Sequence, residues 1–325
     1  MPSPVPLVRV NRSGVEEAVH LGSIAVADEG GGVVASAGDP GRVAFARSSM
    51  KPLQAAVSLD LAGDELSDAE VAVMCGSHNG EPVHISTVQK VLDRAGLGFS
   101  ALRCPPALPL DPETARTVPE ARRELHNCSG KHAGMLLACA RRGFDLGSYP
   151  EPFHPVQQEV LRAAGLASGT TPVAVGIDGC GIPVHAFPLL GLATMYARLA
   201  RPARLGSLAA GAESAVRGMV AEPYLVAGRD RICTLVMEAV SGVVVKVGAE
   251  GLLCAALLER GLGVAVKVED GSGRAWGPTL VRALRLLGAL GREESTSLEG
   301  LAQLPVLGGG RGVGEIRADF DLVFA

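Results

Sequence analysis

Short apolar runs bounded by glycine-rich turns occupy both ends of this 325-residue chain, while the stretch between them carries the punctuation of helices. Near the start, residues 21–27 and 33–37 flank Asp28-Glu29-Gly30-Gly31-Gly32, a hairpin signal, and a third strand is expected over 42–46. Helices follow. One runs over 52–63, with Pro52 confined to its first turn, where a missing N–H costs nothing. Ser67-Asp68-Ala69-Glu70 is a capping box opening another, and further helices are expected over 82–95, 130–142, 155–164, 187–201 and 207–221. Strand character appears briefly at 172–177 and returns at 242–247, 252–258 and 263–268, before a final helix at 278–290. This order predicts an α/β (α+β) fold: a mainly antiparallel sheet built from N- and C-terminal strands, with a helical subregion at about 50–230 inserted, all in one domain spanning 1–325. Two sequential α/β domains are the alternative.

Composition narrows the function more than the fold. Hydrophobic residues make up 47% and charged residues 20%, as in an ordinary folded protein, and a net charge of −4 gives no footprint for nucleic acid or an anionic membrane. The partner expected is a small molecule. No apolar run of about 18 residues suggests a membrane span, and residues 1–12 lack the pattern of an export signal. Seven irregularly spaced cysteines do not resemble a disulfide framework, so a cytoplasmic location is expected.

Only five of the thirty Lys and Arg residues are lysines: Lys51, Lys90, Lys131, Lys246 and Lys267. Unlike arginine, a buried lysine can be driven neutral and serve as a base. Lys90 and Lys267 stand outside any motif and are taken as lysines retained by chance. Ser48 and Lys51, three apart at a helix start, can share one face. A serine alcohol becomes a competent nucleophile once a base accepts its proton, and a helix N-terminus offers N–H groups to a developing oxyanion. Cys75-Gly76-Ser77-His78-Asn79-Gly80 places a Ser-x-Asn on a turn after a helix, and Lys246-Val247-Gly248 ends a late apolar strand. Each alone is weak: a helix cap with a surface lysine and an ordinary polar turn explain the first two better, and the third has a strand-end lysine reaching water as its plain alternative. In the order S-x-x-K, S-x-N, K-x-G they follow penicillin-binding proteins and class A β-lactamases, whose serine attacks an amide carbonyl.

Beyond that order, five segments together resemble the Rhizobium-type (class 3) L-asparaginases. They are 47–54 (RSSMKPLQ), 75–81 (CGSHNGE), 126–132 (HNCSGKH), 178–181 (DGCG) and 246–251 (KVGAEG), and the resemblance extends from about residue 19 to 322. It implies a fold like those of glutaminases and serine β-lactamases, a homodimer, and hydrolysis of L-asparagine to L-aspartate and ammonia. It also implies two Ser–Lys pairs: Ser48 as nucleophile with Lys51 as base, and Ser77 as proton relay with Lys246. Ser77 as the attacking serine stays open. A zinc ion held by Cys128, Lys131 and Cys180 is implied as well, in an orienting or structural role, with no organic cofactor. Read from the residues alone, those thiols are better explained as buried and inert. Asp178 is the expected partner of the substrate ammonium and Arg47 of its carboxylate, with His78 and Asn79 as further substrate contacts. The competing readings are a glutaminase, a β-lactam-type hydrolase, and a non-catalytic, metal-stabilised amino-acid sensor.

Overall fold

Strands form at both ends of the chain. The computed structural model describes residues 3–325. The early strands are β1 (Val5–Arg12), β2 (Val15–Ala27), β3 (Val33–Ala37) and β4 (Val43–Phe45), followed in mid-chain by β5 (Ala174–Ile177) and β6 (Pro183–Pro188). The late strands are β7 (Val243–Val247), β8 (Leu252–Leu257), β9 (Leu262–Val268), β10 (Gln303–Gly308), β11 (Arg311–Ala318) and β12 (Val323–Phe324). A 9-stranded sheet runs β10-β11-β1-β2-β9-β8-β7, with β3 added to β2 and β12 to β3, and every described pairing in it is antiparallel. Strand β2 is long enough to change partners: its first half pairs β1, and residues 22–27 pair β9. β7 and β8 are buried at every position, so the Val-rich and Leu-rich runs that encode them are covered on both faces.

Helices fill the interval between β4 and β7, as the capping signals predict. At its centre lies helix Lys51–Ala62, buried from Lys51 through Leu59 and closed by Gly63 in the left-handed conformation. It packs against helices Ser129–Arg142 and Ala209–Ala221. Gly211 makes the second of these contacts possible: a Cβ there would lie 2.4 Å from the carbonyl oxygen of Ala56, so only glycine lets the two helices approach. Helix Leu189–Leu199 packs on β2, β8 and β9 and joins the helical region to the sheet.

Three features depart from the sequence reading. β1 occupies a proline-rich stretch that gave no strand signal; the irregular register between Pro6 and Val8 accommodates the proline. The helix expected over 187–201 begins only at Leu189, because residues 183–188 form β6 in a small sheet of order β4-β6-β5. The helix at Trp276–Leu286 is not the last element, since two short helices and the β10–β11 hairpin follow it. That hairpin explains the glycine-rich run at 306–314. Gly309 and Gly310, with φ of 55° and 77°, form the two-residue turn that joins the strands.

Candidate active site

Three separate elements converge on Ser77. The capping box at Ser67 fixes the start of helix Asp68–Cys75, which ends at Gly76 in extended conformation. The next residues are clamped, because the N–H of Ser77 donates to the carbonyl of Val226 and that of Asn79 to the carbonyl of Ala227, both at 2.8 Å. Lys51, the first residue of its helix, reaches Ser77 Oγ at 2.9 Å and also donates to the carbonyls of Gly76 (2.6 Å) and Asn127 (3.2 Å). Lys246, on β7, reaches the same Oγ at 2.8 Å and the carbonyl of Val247 at 3.0 Å. Both lysines are fully buried.

Two ammonium groups around one hydroxyl in a water-poor interior would repel and lack hydration. Burial, with the nearby charges of Lys51 and Arg231, lowers Lys246 to about 7. Burial, with Lys131, lowers Lys51 too. A neutral Lys51 amine keeps two N–H bonds for the carbonyls of Gly76 and Asn127, and its lone pair is then free for the proton of Ser77.

Ser77 opens onto a cleft of about 250 Å³ that is also lined by Arg47, Ser48, His126, Asp178, Cys180 and Trp276. A larger hollow, about 420 Å³, lies between Leu59 and Arg217, shares none of these groups and has no lysine in its lining. The chemistry, not the size, singles out the smaller one.

The structure brings most of the expected residues together but pairs them differently. Lys51 bonds Ser77 instead of Ser48; the half-buried Ser48 hydroxyl faces the cleft with no hydrogen-bond partner among the described residues. Arg47, held at a φ of 48°, donates from Nε to Asp178 Oδ1 at 2.8 Å, so the two groups expected to meet opposite ends of a substrate meet each other. His78 does not line the cleft. It is fully buried, its Nε2 lies 2.9 Å from Ser129 Oγ, and its Nδ1 accepts from the Gly80 N–H. Asn79 is also buried and lies behind the cleft. Lys267 is buried and donates to the carbonyls of Glu250 and Val268. Arg231 and Trp276 line the cleft without having stood out in the sequence, because one arginine among many and a lone tryptophan carry no spacing signal.

The cysteine–lysine cluster borders the same cleft. Lys131 Nζ donates to Cys180 Sγ at 3.0 Å. A hydrogen bond from Cys128 is the main cause that brings the Cys180 thiol down to about 5, with Lys131 adding to it against burial. Cys180 and Cys128 in turn raise Lys131, although burial pulls the other way. Among the described residues no group of three His, Cys, Asp or Glu side chains could hold a metal. Two sulfurs and one amine nitrogen are nevertheless donors of the type zinc accepts, provided the amine gives up its proton.

The sequence matches the family model described as L-asparaginase II over residues 8–318. The chain belongs to that family and is an amidohydrolase. No curated protein matches it significantly. Solved structures similar to it include a beta-lactamase from Mycobacterium bovis (18% identity, 83% of this chain and 95% of that one, TM-score 0.43). Another is Mglu in its native form (15% identity, 82% and 63%, TM-score 0.46), of which the chain spans less than two thirds. A third is a probable glutaminase from Bacillus subtilis complexed with 6-diazo-5-oxo-L-norleucine (15% identity, 82% and 84%, TM-score 0.36).

Proposed function

We propose that this amidohydrolase converts L-asparagine to L-aspartate and ammonia through a seryl acyl-enzyme. The observation that carries the reading is the hydroxyl of Ser77 held between two buried amines, 2.9 and 2.8 Å away. Ser48 attacks the side-chain amide carbon, being the cleft hydroxyl that no protein group holds. Its proton passes by way of one bridging water to Ser77 as the proton of Ser77 passes to neutral Lys51. Collapse of the tetrahedral intermediate breaks the C–N bond, and the Ser77–lysine chain returns a proton to the departing ammonia. Water then enters by the same route, releases aspartate and restores Ser48. A second reading has Ser77 itself attack, favoured by its direct bonds to both amines.

The substrate's ammonium has a partner in Asp178, whose carboxyl is held ionised by Lys131 and Arg47 in spite of its burial. Cys128, Cys180 and a deprotonated Lys131 would hold zinc at the edge of the cleft, where a dication orients a polar substrate group. A homodimer is also part of the proposal. The edge strand β5 and the residue before it present Val173, Val175 and Ile177, each more than half exposed, and an isologous antiparallel pairing of two such edges would cover them.

Ammonia release from L-asparagine, with mass spectrometry of the quenched enzyme, tests the reading. An aspartyl adduct that survives in Ser77→Ala and disappears in Ser48→Ala supports attack by Ser48. The reverse supports Ser77, and full activity in both variants refutes Ser–Lys chemistry.

A further inference from the structure

Apart from the Cys180 sulfur, three charged side chains line the cleft: Arg47, Asp178 and Arg231. The first two neutralise each other at 2.8 Å. Arg231 has no carboxylate within ion-pair distance among the described residues, and its guanidinium makes a single hydrogen bond, from Nη1 to Asn79 Oδ1 at 2.8 Å. A half-buried guanidinium with most of its donors unused, facing a cleft, is built for an anionic ligand group.

The support behind it is closely specified. Asn79 Nδ2 donates to Glu81 Oε1 and to the carbonyl of Arg229, both at 3.1 Å. Both are pure acceptors, so the amide cannot be turned over, and its oxygen must face Arg231. Glu81, itself buried, also accepts from the N–H of Arg229 at 3.1 Å and from the hydroxyl of Tyr224. The neighbouring Arg229 differs: it is exposed and paired with Glu113.

We infer that Arg231 receives the α-carboxylate of the substrate and that Asn79, braced by Glu81 and Tyr224, is the positioning residue that aims it. The Asn of the Ser77-x-Asn79 motif therefore acts on the substrate through Arg231. This inference rests on the asparaginase reading for the identity of the carboxylate. It assigns the cleft three anchors: Asp178 for the ammonium, Arg231 for the carboxylate, and the serines for the amide.

The test compares L-asparagine with 3-aminopropanamide, the same molecule without its carboxylate. Arg231→Ala should lower kcat/KM for asparagine about 100-fold, chiefly through KM, and leave the value for 3-aminopropanamide within about twofold of wild type, as expected for losing one charge-assisted contact. Arg231→Lys should recover part of the loss, and Asn79→Ala should show a smaller loss of the same selective kind. With wild type alone, L-aspartate should inhibit far better than 3-aminopropanoate. Equal loss on both substrates in Arg231→Ala, or equal inhibition by the two acids, overturns the inference while leaving the asparaginase reading intact. No ammonia from either substrate with wild type overturns both.

Discussion

Lys246→Met isolates what the site demands of the fold. The side chain is fully buried, and methionine nearly matches its volume without a charge. In the unfolded chain this lysine titrates near its ordinary value; in the fold, burial brings it to about 7 from 10.5. The folded affinity for a proton is lower, so the unfolded state binds more protons throughout this window. At and below neutral pH the lysine therefore destabilises the fold by about 4–5 kcal/mol, at about 1.4 kcal/mol per tenfold difference in proton affinity. The penalty shrinks as pH rises from 7 towards 10.5 and vanishes above that. Against this, methionine forfeits the bonds to Ser77 and Val247, roughly 1 kcal/mol each. The variant should be more stable than wild type by about 2–3 kcal/mol at pH 6–7, a rise in melting temperature on the order of 5 °C. It should also lose about 1,000-fold in kcat. Thermal denaturation at pH 6, 7.5 and 9 measures the difference. A variant less stable than wild type at pH 6, or a gain that does not shrink with pH, refutes the assignment of a proton-poor amine.

Other expectations are simpler to check. Below about 7, where Lys246 regains its proton, kcat/KM for asparagine should fall by about tenfold per pH unit; a flat profile from pH 5 to 8 contradicts the need for an uncharged amine. Cys180→Ser should reduce bound zinc, measured by elemental analysis, from about one per chain to a small fraction, and should remove any loss of melting temperature on chelation. Val175→Lys should shift the protein from dimer to monomer in sedimentation; unchanged sedimentation rules out the β5 edge as the contact.

The parts of this protein that were readable in advance are those where local chemistry decides. The Ser67–Glu70 box, Gly63 and Gly143 mark helix ends by backbone geometry, and the structure places the ends there. β1 was not readable, because prolines hid its alternation and its stability comes from β2 and β11, one adjacent and one at the far end of the chain. The same limit applies in the cleft. Spacing drew attention to Ser48, Lys51, Ser77 and Lys246. Which hydroxyl each amine bonds depends on side-chain direction between elements, and a one-turn neighbour such as Ser48 lost Lys51 to a residue 26 positions away. Arg231 was invisible for a similar reason: what distinguishes it is a missing partner, and only packing reveals that.

Ser77 and Lys246 lie 169 residues apart in sequence. Similarly, the half of β2 that pairs with β9 must wait for almost the entire polypeptide to be synthesised before its neighbour exists. On a ribosome the first three strands emerge as a meander whose β2 lacks its β9 neighbour until the last quarter of the chain arrives. Hydrolytic competence is then acquired late and all at once, so recovery of ammonia release during refolding would time the closing step of folding itself.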